Sequence, residues 1–118
     1  DSDEPSWAQP GLAEMASAAL AVLARNTQQH PTSQPGFLLM IEGASVDKQA
    51  HACDGQRMLA ELLELQQTIG AVADWCTKHA PDTAIVVTSD HATGGYDVYG
   101  SVDTDAFRRA GTSEKAML

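Results

Sequence analysis

The sequence predicts an α/β fold: a βαβ unit of a parallel sheet with flanking helices. Three observations carry that prediction. Two short, unbroken apolar runs, Phe37-Leu38-Leu39-Met40-Ile41 and Ala84-Ile85-Val86-Val87-Thr88, have the length and composition of strands buried on both faces. The longest helical pattern of the chain, residues 56–80, lies between them. Strand, helix and strand in that order make a right-handed crossover with parallel strands when they share a sheet.

Each element has its own local signal. Residues 1–10 are polar, carry two prolines and read as an extended lead-in. Residues 11–26 turn helical, with abundant alanine and with Leu12, Met15, Ala19, Val22 and Leu23 close to one face. Residues 26–36 are polar again, with two prolines, and read as a loop in which His30 is an exposed histidine without a function. The first apolar run gives way at once to polar and small residues. In the long helix, Met58, Leu62, Leu65, Ile69, Val72 and Cys76 are spaced to form one core-facing stripe. Gly70 weakens its interior by about 1 kcal/mol relative to alanine, and Pro81 marks its stop. The second apolar run ends in Ser89-Asp90-His91, followed by Ala92-Thr93-Gly94-Gly95. Beyond Tyr99 the pattern fades, with a short helix expected over 103–110. The expected organisation is therefore a lead-in over 1–10, a partial α/β domain over 11–100 and a tail over 101–118.

A length of 118 residues allows one domain at most. Seven basic against sixteen acidic residues give a formal charge of −9. So acidic a balance argues against non-specific binding to nucleic acid or anionic membrane, both of which need a basic face. A phosphate substrate stays compatible with it, because bound metal ions invert the local field. No apolar stretch approaches the roughly 18 residues needed to span a bilayer. The chain starts at Asp1 without a signal-peptide pattern, so its start gives no compartment. If the stretch between Cys53 and Cys76 is mostly helix, the two lie on the order of 30 Å apart. A disulfide needs Cα atoms within about 7 Å, so two free thiols are expected, with Cys53 in a loop where a cysteine outside the chain could reach it.

Ligand-binding residues in open α/β sheets sit just beyond the carboxyl ends of strands. Both apolar runs are followed there by metal-ligand types: Glu42, Asp47 and His51 after the first, Asp90 and His91 after the second. Asp47 and His51 share a face if they lie on one helical turn, which suits chelation of a single ion. Carboxylate with imidazole suits zinc; Glu42, an oxygen donor, suits a harder ion such as magnesium. Asp90 and His91 are adjacent and converge only outside a regular strand, in a glycine-bounded turn. Two solvated side chains are the alternative for either pair taken alone.

The segment Glu42-Gly43-Ala44-Ser45-Val46-Asp47-Lys48-Gln49-Ala50-His51 resembles a metal-binding segment of the alkaline phosphatases, and Val87-Thr88-Ser89-Asp90-His91-Ala92-Thr93-Gly94-Gly95 resembles their second. Gly36-Phe37-Leu38-Leu39-Met40 is similar to the family directly before the first segment, and Gly11-Leu12-Ala13-Glu14-Met15 to the helix preceding it. The resemblance covers about residues 5–95, and the tail 96–118 shows none. It implies an alkaline-phosphatase-like fold and a site of two zinc ions and one magnesium ion. By position Glu42 would bind magnesium, Asp47 and His51 the first zinc, Asp90 and His91 the second. Lys48 would lie on the phosphate side, with an ordinary surface lysine as the alternative. The implied reaction is hydrolysis of a phosphate monoester through a serine nucleophile, with a periplasmic or secreted location.

Several parts of the family pattern have no counterpart here. The nucleophilic serine lies upstream in the family, in an Asp-Ser-Ala/Gly-like segment. Ser45 and Ser89, the serines nearest the ligands, do not match it. The phosphate-clamping arginine is also upstream, and a further zinc histidine comes from a later segment, whereas the tail has no histidine. No catalytic residue is therefore assigned within the chain. Some members carry a second histidine two residues past the Asp-His pair, where Thr93 stands, and many have an acidic residue in place of Gln66. The expectation is a fragment, a truncated homologue or one piece of an assembly, associating with the missing segments or as a homodimer. A phosphodiesterase or sulfatase of the same superfamily, and a non-catalytic metal-binding fragment, are the alternatives.

Overall fold

The computed structural model describes residues 9–29, 36–97, 100, 101 and 103–110. The lead-in over 1–8, His30 and most of its loop, and the end of the tail lie outside the described residues. Four helices follow in order: α1 (Leu12–Gln29), α2 (Ala44–His51), α3 (Gly55–His79) and α4 (Thr104–Ala110).

The described residues contain no strand, which corrects the expected parallel-sheet α/β fold. Residues 36–43 and 83–93 have no regular secondary structure. Leu38 is 93% exposed, Met40 88% and Val86 84%, so these apolar runs are not covered on both faces. The physical reason lies in the runs themselves. A strand of this type is stable only with ladder partners at its edges and packed layers over its faces. The two runs also fall in different compact units of the chain, one comprising Asp1–Ile41 with Gln67–Thr83, the other Glu42–Gln66 with Ala84–Leu118.

In the first unit, α1 opens with the Glu14 carboxylate accepting the Gly11 amide hydrogen at 3.1 Å, half of a capping box. The helix buries Ala16 and Leu20, four residues apart on one face. Met15 and Val22, expected in its core stripe, are exposed. So many alanines leave the centre of the stripe weakly defined, and it sits about one position round from the expected one. The later part of α3 buries Thr68 and Cys76. Trp75 meets Phe37 edge to face, with ring centroids 6.4 Å apart, and lies 5.1 Å from the His79 ring. Pro81 ends the helix in a turn closed by the Thr83 amide donating to the Ala80 carbonyl at 3.0 Å.

In the second unit, α2 and the start of α3 are joined with almost no intervening chain. Cys53 takes a left-handed φ of 55°. Its amide donates to the Ala50 carbonyl at 2.9 Å, and the Asp54 amide to the Gln49 carbonyl at 2.9 Å. That pair of bonds is a Schellman stop. Asp54 then starts α3: its Oδ1 accepts the Arg57 amide hydrogen at 3.0 Å, and its carbonyl accepts that of Met58 at 2.9 Å. Ala50 buries one side of α2. Gly43, at the start of α2, faces Leu65 of α3 so closely that a Cβ there would lie 3.1 Å from a Leu65 methyl. Leu62, expected in the α3 stripe, is exposed. Both cysteines are free thiols, Cys53 exposed and Cys76 buried.

Candidate metal centre

All five expected ligands belong to the second unit. Glu42 is exposed and directly precedes Gly43, the residue at the start of α2. Asp47 and His51 lie one turn apart on α2, with Asp47 Oδ2 3.6 Å from His51 Nε2 and the side chains 42% and 60% exposed. Helical spacing therefore brings these two together, as read from the sequence. Lys48 is exposed on the same helix.

Asp90 and His91 stand in the irregular segment after the second apolar run, with Asp90 Oδ2 3.1 Å from His91 Nε2. The other ring nitrogen, Nδ1, lies 3.2 Å from the Ala92 carbonyl oxygen. A carbonyl only accepts, so a proton on Nδ1 satisfies that contact and leaves the Nε2 lone pair of a neutral ring aimed at the carboxylate. Two acceptor atoms at this distance suit a shared cation. Ser89 adds to the order of this segment, its hydroxyl donating to the His91 carbonyl at 2.9 Å.

One contact joins the two segments that carry the expected ligands. The Thr93 hydroxyl donates to Asp47 Oδ1 at 2.6 Å, across 46 positions of sequence. The five expected ligands nevertheless form no single cluster: among the described residues no three His, Cys, Asp or Glu side chains gather into a group that could hold one ion. Their donor chemistry fits the implied ions. For zinc with donors about 2.1 Å away, a tetrahedral site separates neighbouring donors by about 3.4 Å, close to the 3.6 Å between Asp47 Oδ2 and His51 Nε2. Both pairs are exposed, so the interaction within each contributes little to stability by itself.

The chain matches the family model described as Alkaline phosphatase over residues 1–117. It belongs to the alkaline phosphatase family. The match runs through residues 96–117, which corrects the reading that the resemblance ends near Gly95. The chain is 38% identical over 82 residues to streptomycin-6-phosphate phosphatase of Streptomyces griseus, covering 70% of this chain and 18% of that protein. It is 34% identical over 83 residues to the alkaline phosphatase of Escherichia coli K12, with 70% and 16% covered. The repressible alkaline phosphatase of Saccharomyces cerevisiae is 33% identical over 95 residues, with 80% and 16% covered. The chain thus spans about a sixth of the length of these curated relatives. No solved structure matches it.

Two residues of this unit escaped the sequence reading. Asp54 carried a signal, an aspartate placed directly before an apolar-periodic helix. Thr93 was visible only as a departure from a histidine that some members of the family carry, with nothing in the sequence to pair it with Asp47. Among the described residues no helix is long and apolar enough to cross a membrane.

Proposed function

We propose that this chain is the metal-ligand part of a zinc- and magnesium-dependent phosphatase that hydrolyses phosphate monoesters. Membership of the alkaline phosphatase family supports the reading at the level of a phosphatase-type hydrolase. The observation that carries it further is the Thr93–Asp47 hydrogen bond, which links the two segments bearing ligand residues. The relative from Streptomyces griseus is named for streptomycin 6-phosphate, a phosphate monoester, and supports that substrate class.

In this reading Asp47 and His51 hold one zinc, Asp90 and His91 the second, and Glu42 the magnesium. Bound there, the ions would supply Lewis acidity toward a phosphoryl oxygen and its attacking group. The chain's own residues orient and hold. The turn spacing of α2 aims Asp47 and His51 the same way, the Ala92 carbonyl selects the His91 tautomer, and Lys48 provides a mobile positive charge on the phosphate side. The attacking serine is assigned to no residue of this chain. Turnover then needs association with the segments that carry it, and the location would be periplasmic or secreted.

The test is elemental analysis of the purified chain alongside hydrolysis of an aryl phosphate at alkaline pH. We expect bound zinc, loss of zinc on Asp90→Ala, and no turnover by the chain alone. Unchanged zinc stoichiometry in Asp90→Ala would falsify the ligand assignment. Chelator-sensitive turnover by the chain alone would overturn the external nucleophile. A full-length version preferring phosphodiesters or sulfate esters would move the reading to a related hydrolase, and saturated metal without hydrolysis in any assembly would leave a binding module.

A further inference from the structure

Asp90 and His91 are neighbours in sequence, and in a regular strand neighbouring side chains point to opposite faces. Here the chain bends at Asp90, and the two side chains come together with Oδ2 3.1 Å from Nε2. A serine side chain spans that bend. The Ser89 hydroxyl donates to the His91 carbonyl at 2.9 Å, running from the residue before the bend to the residue after it. One position earlier, the Thr88 hydroxyl donates to the Ser89 carbonyl at 3.1 Å. Local bonds of this kind, from hydroxyl to nearby backbone, offer the chain an alternative to the strand ladder.

The hydroxyl hydrogen of Ser89 therefore goes to a carbonyl, which accepts a hydrogen bond but does not act as a base, so this serine is not primed as a nucleophile. We infer that Ser89 is a positioning residue for the Asp90–His91 pair: its hydroxyl bond across Asp90 holds the backbone in the bend that turns both side chains toward one ion. The His91 ring has a separate hold in the contact of Nδ1 with the Ala92 carbonyl oxygen, so a change at residue 89 reaches the pair through the backbone. The inference rests on the metal-centre reading proposed above. It goes beyond that reading by assigning a role to a residue that is neither a ligand nor the nucleophile.

The test measures zinc affinity of the whole chain by competition with a chromophoric chelator, for wild type, Ser89→Ala and Ser89→Thr, each with and without Asp90→Ala. Cobalt absorption spectra report the donor geometry, and far-UV circular dichroism reports the metal-free fold. The bond is exposed and water competes for it, so its loss should weaken zinc binding about 3- to 10-fold. Ser89→Ala should show that loss with an altered cobalt spectrum and unchanged metal-free helicity, while Ser89→Thr, which keeps the hydroxyl, stays close to wild type. In the Asp90→Ala background Ser89→Ala should cost nothing further, because the pair through which it acts is gone. Wild-type affinity in Ser89→Ala overturns the inference, as does a threonine variant as weak as the alanine one. A loss that persists in the Asp90→Ala background, or a loss of metal-free helicity, also overturns it, since the hydroxyl would then serve the fold. These outcomes leave the centre standing if the wild-type chain binds zinc and Asp90→Ala loses it; a wild-type chain that binds no zinc removes both readings together.

Discussion

Replacing Asp54 by alanine removes the oxygen that accepts the Arg57 amide hydrogen at the start of α3. Its carboxylate is 2% exposed, and its second oxygen has Arg57 Nε 3.5 Å away, too far for a good hydrogen bond. Losing an N-cap of this kind costs about 0.5–2 kcal/mol. Asp54→Ala should lower the urea midpoint accordingly, and Asp54→Asn, which keeps an accepting oxygen without the charge, should recover most of the difference. The same scale shows what can be read from letters alone. Asp47 and His51 were legible as a pair because the helical repeat forces neighbours at that spacing. Asp90 and His91 were legible as adjacent donors, but not their contact at 3.1 Å, which depends on leaving regular backbone. Thr93 was not legible, because a hydrogen bond between residues 46 positions apart has no local trace.

Helices were the best-read elements. The long one was expected over 56–80 and spans Gly55–His79, because an apolar stripe of this length and a following proline leave little freedom. The first helix runs to Gln29, past the expected end at residue 26, and in its last turns the Thr27 hydroxyl donates to the Leu23 carbonyl at 3.0 Å. The expected strands failed for a reason that is also local in appearance and global in cause: composition specifies what a segment would do beside partners, and no partner strand lies beside these runs among the described residues. At this scale Gly70 invites a direct experiment. It lies inside α3, and a Cβ there would meet nothing within 4 Å. Gly70→Ala should therefore stabilise the chain by about 0.5–1 kcal/mol, read as a higher thermal midpoint.

Across the whole molecule the balance is unusual. Apart from Ala16, Leu20, Ala50 and Cys76, no hydrophobic residue among those described is fully buried, while Leu38, Met40, Val86 and Val87 are largely exposed. Apolar surface of this kind drives association in water. Sedimentation velocity should show concentration-dependent association of the chain, reduced in the double variant Met40→Lys, Val86→Lys. A single monomeric species across concentrations would contradict this. The net charge of −9 opposes such association and should make it stronger as salt is added.

The join between α2 and α3 behaves like a gear with one tooth. Asp54 closes the helix before it through its amide and opens the helix after it through its carboxylate and carbonyl. An extra residue at this point would break the pair of amide bonds to the Ala50 and Gln49 carbonyls or separate that stop from the Asp54 cap. The direction in which α2 presents Asp47 and His51 would then change with no change to either residue. Length, more than chemistry, is thus what this junction holds constant: side chains on it can be exchanged at modest cost, but it has no slack for an insertion or a deletion.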